Sequence, residues 1–73
     1  MGRNENLVEL GKRIRYLRKL KNLSQEQFAF LANVDRSYMG GIERGERNIG
    51  FLMLVRIAHI LECDIAAITK DIP

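Results

Sequence analysis

Ser24-Gln25-Glu26-Gln27-Phe28-Ala29-Phe30-Leu31-Ala32-Asn33-Val34-Asp35-Arg36-Ser37-Tyr38-Met39-Gly40-Gly41-Ile42-Glu43 is the stretch on which the fold turns. The Ser24 hydroxyl can accept from the backbone amide of Gln27 while the Gln27 side chain reaches back, a reciprocal pattern that starts a helix. That helix is expected to reach about Ala32, with Phe28, Ala29, Leu31 and Ala32 turned inward and the small alanines letting a neighbour approach. Asn33 tolerates the left-handed conformation in which helices commonly end. Asp35 is a good N-cap two residues on, so a second helix starts at Arg36 after a turn of about three residues. It runs to about Glu43 and faces Met39 and Ile42 inward beside Val34 of the turn. Gly40 and Gly41 within it each cost roughly 1 kcal/mol relative to alanine, so a compensating close contact is expected there.

Working outward, three more helices follow from the pattern. Leu7, Leu10, Ile14, Leu17 and Leu20 recur at three- and four-residue spacings, one buried stripe on a helix from Leu7 to Lys21. Gly45, Asn48 and Gly50 punctuate a loop, after which Leu54, Ile57, Ala58 and Leu61 supply the inward face of a fourth helix. Asp64 caps a final helix from Ile65 to about Lys70. No segment alternates with strand period for long enough to suggest a sheet, and no internal repeat appears. An all-α chain of five short helices results, and 73 residues suit one domain spanning 1–73.

Composition narrows the function classes. A hydrophobic fraction of 47% with 29% charged residues argues for a folded globular chain over disorder. The single cysteine, Cys63, rules out an intramolecular disulfide framework or a multi-cysteine zinc site and fits a reducing cytoplasm. No charged-then-apolar leader opens the sequence. The longest apolar run, Ile49 to Ile60, is broken by Arg56 and His59, so secretion and membrane insertion are disfavoured. The net charge of +3 is unevenly spread. Residues 1–22 carry Arg3, Lys12, Arg13, Arg15, Arg18, Lys19 and Lys21 against Glu5 and Glu9, whereas the chain beyond Gly50 is slightly acidic. The basic face of the first helix reads equally as a solvated surface or as a phosphate-facing one. Cys63 and His59 sit four apart without a partner motif, and the glycines from Gly40 to Gly45 lack a phosphate-loop lysine. No enzyme, cofactor, metal or small-molecule substrate is expected.

Two short helices joined by so tight a turn form a helix-turn-helix, whose second helix can enter a DNA major groove while the first braces against backbone. The segment Leu23-Ser24-Gln25-Glu26-Gln27-Phe28-Ala29, followed by Asp35-Arg36-Ser37-Tyr38 and Ile42-Glu43-Arg44-Gly45, resembles the XRE family of phage-repressor-like regulators over nearly the whole chain. The run from Asp35 to Asn48 is most similar to controller proteins of restriction-modification systems. The resemblance implies a compact five-helix lambda-repressor-like domain. It also implies a transcriptional regulator, activator or repressor, that binds a pseudo-palindromic operator on double-stranded DNA as a homodimer.

By that resemblance Gln25 donates to a DNA phosphate, a role that the positive end of its helix also favours. Arg36 and Ser37 match base-reading positions, and an arginine fork suits guanine O6 and N7. Tyr38 would contact a phosphate, lie over a thymine methyl, or simply pack. Gly41, four residues after Ser37, would let the helix sit close to the bases. Arg44 and Asn48 would grip the backbone, with Arg47 there or at a base edge. Glu43 would pair with Arg18 and so take no part in DNA contact.

The sequence departs from the family pattern in two places. Gly50 replaces the usual serine or threonine cap of the fourth helix, and Leu52 and Met53 stand where polar residues are common. That helix is apolar almost all round, and surplus apolar surface suggests an interface. Ile60, Ile65, Ile68 and Ile72, with Leu52 and Met53, are the expected dimer contacts; monomer core is the other reading of the isoleucines. Glu26 would be the residue to touch RNA polymerase. The competing class is a protein-interaction module such as an antitoxin, whose main contact is a partner protein on the fourth helix. Membrane-surface binding by the basic first helix is disfavoured, because its apolar stripe is needed for the core.

Overall fold

The computed structural model describes residues 3–73, which form five helices: α1 (Glu5–Leu20), α2 (Gln25–Ala32), α3 (Arg36–Glu43), α4 (Phe51–Leu61) and α5 (Ile65–Thr69). The all-α architecture expected from the sequence holds. α1 begins earlier than its leucine stripe suggests, because the Asn4 side chain accepts from the backbone N–H groups of Asn6 and Leu7, at 2.9 and 3.1 Å. The capping box of α2 closes as expected: Ser24 Oγ accepts from Gln27 N at 3.0 Å, and Gln27 Oε1 from Ser24 N at 2.8 Å. Asn33 ends α2 at φ 61°, and the Asp35 carboxylate starts α3 by accepting from Tyr38 N at 2.8 Å. Asp64 stands at the N-cap of α5, but its side chain makes no capping hydrogen bond.

The largest fully buried side chains are Ile14, Phe28, Met39, Ile57 and Ile68, one from each helix. Three expectations are corrected here. Ile68 is wholly enclosed in this core and is not available for a dimer contact. Leu31 is half exposed: at 3.6 residues per turn it is rotated roughly 100° from the mean direction of Phe28, Ala29 and Ala32, which α2 buries. On α1 the buried line is Val8, Gly11, Ile14 and Arg18. Leu7, Leu10 and Leu17 flank it, and Leu20 is exposed.

Two features turn α1 onto that unexpected face. At Gly11 the end of α3 comes so close that a Cβ would stand 2.5 Å from the carbonyl oxygens of Ile42 and Glu43. In the last turn of α1, Arg18 enters the interior because Glu43 meets it. Arg18 Nε lies 2.7 Å from Glu43 Oε2 and Nη2 lies 3.0 Å from Oε1, with both residues 7% exposed. Arg18 Nη1 donates to the Leu23 carbonyl at 2.8 Å, so the guanidinium grips the loop before α2 as well. Elsewhere, Arg56 Nη1 donates to the Ala32 carbonyl at 2.9 Å and ties α4 to the end of α2.

Removing one partner of a buried, hydrogen-bonded ion pair leaves the other charge uncompensated. Glu43→Ala is therefore expected to lower stability by about 3 to 5 kcal/mol, read as a reduced urea midpoint. A second prediction concerns the cap of α3. The backbone N–H of Tyr38, and then the Ser37 hydroxyl, hold the Asp35 carboxyl below the ordinary aspartate value. A depressed folded-state pKa contributes stability that is present above the unfolded value and lost as pH falls through the folded one. The stability margin of the wild type over Asp35→Asn should be constant at neutral pH and shrink only in acid below the ordinary aspartate range. A margin that stays flat as the pH falls below the ordinary aspartate value would contradict this account.

Candidate nucleic-acid interface

α2 and α3 are joined by Asn33, Val34 and Asp35, and the first turn of α3 leaves Arg36 and Ser37 exposed at one edge of the molecule. The buried pair extends outward to this edge. Gln25 Nε2 donates to Glu43 Oε1 at 3.1 Å, and Arg36 Nη1 donates to Gln25 Oε1 at 3.4 Å. Gln25 is thus more than a free surface amide. It bridges the interior anchor to Arg36, and its second amide hydrogen is left for an outside acceptor.

Ser37 Oγ donates to Asp35 Oδ1 at 2.8 Å. Its proton is engaged, so towards a ligand the hydroxyl would act as an acceptor. Tyr38 is half-buried and packs against the core, and the Arg47 guanidinium carbon stands 5.3 Å from its ring centroid. The space beside Gly41 is not open: the Arg47 stem crosses it, with Cγ 3.1 Å from where a Cβ would be.

Arg44 forks onto Glu46, with Nε to Oε2 at 3.0 Å and Nη2 to Oε1 at 3.1 Å. The hydrogen bond holds the Glu46 carboxyl below its ordinary value and raises that of Arg44. Arg44 must therefore loosen from Glu46 to grip a phosphate fully. Asn48 is exposed on the loop that follows. Sequence reasoning did not single out Arg3, which lines a surface cleft of about 510 Å³ together with Asn4, Arg44 and Gly45. Its only signal was its place in a basic N-terminal third.

Two basic residues, Arg13 of α1 and Lys21 at its C-cap, are engaged away from this edge. Arg13 pairs with Glu9 and donates to the carbonyls of Ile68 and Lys70 at the end of α5. Lys21 pairs with Glu62, which lies below its ordinary carboxylate value for that reason.

Of the expected dimer residues, Leu52 is 80% exposed, and Met53, Ile60, Ile65 and Ile72 are half-buried. Phe51 and Val55 are exposed beside them. Gly50 starts α4 without a side-chain cap, as expected. Leu54, expected to face inward, is half-buried and packs against the core. Burial, and then the charge of Asp64, push the Cys63 thiol up, which favours its protonated form. His59 is exposed. Among the described residues no three metal-binding side chains cluster, and no helix is long and apolar enough to cross a membrane.

Known proteins are similar to this chain in sequence, and a solved structure is similar in fold. The control protein C.MunI of a Mycoplasma species is 36% identical over 70 residues, covering 94% of this chain and 95% of that one. The control protein C.SmaI of Serratia marcescens is 38% identical over 56 residues, 77% of this chain and 67% of its own. The crystal structure of the restriction-modification controller protein C.AhdI from Aeromonas hydrophila matches with a TM-score of 0.85 at 43% identity, over 89% of this chain and 98% of that one. Residues 14–68 match the helix-turn-helix family HTH_3, and with the capped α2–turn–α3 unit at its centre, the chain belongs to this XRE-type family of DNA-binding transcription regulators, which are not enzymes.

Proposed function

We propose that this regulator binds a pseudo-palindromic operator as a homodimer and controls the transcription of a restriction-modification operon. The observation that carries the reading is the exposed Arg36 and Ser37 edge of α3, anchored through Gln25 to a buried ion pair. The likeness to controller proteins along nearly the whole chain supports the choice of operon. Arg36 and Ser37 read base edges, with Arg47 beside them on the same face. Gln25, Arg44 and Asn48 hold the sugar-phosphate backbone.

The dimer forms through the outer face of α4 and the flank of α5, where Leu52, Met53, Ile60, Ile65 and Ile72 are joined by Phe51 and Val55. A two-fold axis there sets the two α3 helices about 34 Å apart, one turn of B-DNA. Glu26 is exposed on α2; in this reading it would be the residue that touches RNA polymerase, and the protein would work in the cytoplasm.

The exposed apolar face of α4 also fits the competing reading, a module that docks a partner protein. Leu52→Glu separates the two. It should convert a dimer into a monomer in sedimentation and abolish operator binding, whereas a wild type that sediments as a monomer at micromolar concentration would favour the partner reading.

DNA recognition is tested by selecting duplexes from a randomised pool with the wild-type protein. Arg36→Ala is expected to lower affinity for the selected duplex by about 1 to 3 kcal/mol per half-site and to relax the base preference. Gln25→Ala should weaken binding to all duplexes and, because Arg36 loses its hydrogen-bond partner, also soften preference at the base pairs that Arg36 reads, without touching preference elsewhere. The wild-type log affinity should fall with log salt by roughly 0.9 per phosphate neutralised, and salt-insensitive binding would sink the reading.

A further inference from the structure

Arg47 lies nine residues beyond Tyr38, yet its side chain returns to α3. The turn that sends it back is fixed by Gly45 at φ 79° and by the Glu46 N–H donating to the Gly41 carbonyl at 2.8 Å. From there the stem crosses α3 at Gly41, with Cγ, Nε and Cδ at 3.1, 3.4 and 3.8 Å from the position a Cβ would take. Its guanidinium ends 5.3 Å from the Tyr38 ring centroid. Tyr38 and Gly41 are three apart on one face of the helix, so together they form a track with a bare floor and an aromatic end.

The three arginines of this region differ in what holds them. Arg36 donates to Gln25, and Arg44 is forked onto Glu46. Among the described residues Arg47 has neither an ion pair nor a side-chain hydrogen bond; its guanidinium stands over the Tyr38 ring, and the Asp35 and Glu46 carboxylates act on it only through longer-range charge. A cation held over a ring keeps its N–H donors, which lie in the plane of the guanidinium, free for a ligand.

We propose that Tyr38 is a positioning residue for Arg47, its ring and the bare backbone of Gly41 pre-orienting that arginine on the reading face of α3. Arg47 then presents an unengaged donor fork to a guanine edge next to the bases met by Arg36, and Gly41 serves to seat an arginine rather than to admit DNA. The assignment rests on the DNA reading above and adds to it how a second arginine is aimed.

The test is a double-mutant cycle on the duplex selected by the wild type, with Tyr38→Leu, Arg47→Ala and both together. Arg47→Ala should cost roughly fivefold to 150-fold in affinity and erase preference at particular base pairs. Tyr38→Leu should cost about two- to fivefold and weaken preference at the same base pairs. The double variant should bind as Arg47→Ala does, and Tyr38→Phe should restore most of the loss caused by Tyr38→Leu. Gly41→Ala keeps the ring and displaces the stem, so it should act in the same direction as Tyr38→Leu. If Tyr38→Leu costs its full factor in the Arg47→Ala background, Tyr38 meets DNA on its own account and the proposal fails.

A readout on the free protein separates this failure from failure of the DNA reading. The Arg47 side-chain N–H resonance should carry a ring-current shift that Tyr38→Leu removes and Tyr38→Phe retains. A wild type that enriches no duplex, but keeps that shift, overturns the DNA reading and leaves the stack standing. Absence of the shift overturns the stack itself.

Discussion

Arg18 and Glu43 face each other inside a domain too small to hide a charge cheaply, and the arrangement of α1, α2 and α3 follows from how that cost is met. Every polar atom of the pair is engaged: Arg18 gives two hydrogen bonds to Glu43 and one to the Leu23 carbonyl, while Glu43 also receives one from Gln25. A buried pair of this kind adds little net stability over an apolar substitute, but it does not tolerate sliding, because any shift leaves a charge without its partner. It therefore fixes the end of α3 against the last turn of α1 and against the loop that enters α2. The exposed arginine at the start of α3 inherits its place from this anchor through Gln25.

The central helix pair was legible in the sequence almost to the residue, because its signals are local. A capping box, an asparagine at φ 61° and an aspartate cap each act within three or four residues, and each is realised as its chemistry predicts. The face of α1 was less legible. A leucine stripe is a hydrophobic signal, whereas the face that packs includes Gly11 and Arg18, which hydropathy cannot mark as interior. Ile68 shows the complementary difficulty, since an isoleucine suits a core and an interface equally well and only the packed structure assigns it to the core.

At the candidate interface, residue types were legible but engagements were not. That Arg36 and Ser37 would be exposed followed from their place in the first turn after Asp35. Gln25 meeting Glu43 eighteen residues away, and Arg3 sharing a cleft with Arg44, depend on how distant helices come together and leave no periodic trace. Arg44 and Glu46 are only two apart, but whether two neighbouring loop charges face each other is decided by the backbone between them, here turned at Gly45.

The central cluster takes one large side chain from every helix, down to the five-residue α5. The helix proposed to meet DNA and the helix at the far end of the chain thus share a single interior, with Met39 and Ile68 in the same buried cluster. Opening at α5 would take Ile68 out of the interior that also backs α3, so the two ends of the chain are coupled through that shared core. The abundance of binding-competent protein then follows its overall folding equilibrium, and a destabilising change far from the DNA lowers the concentration of active regulator without altering which sequence it prefers.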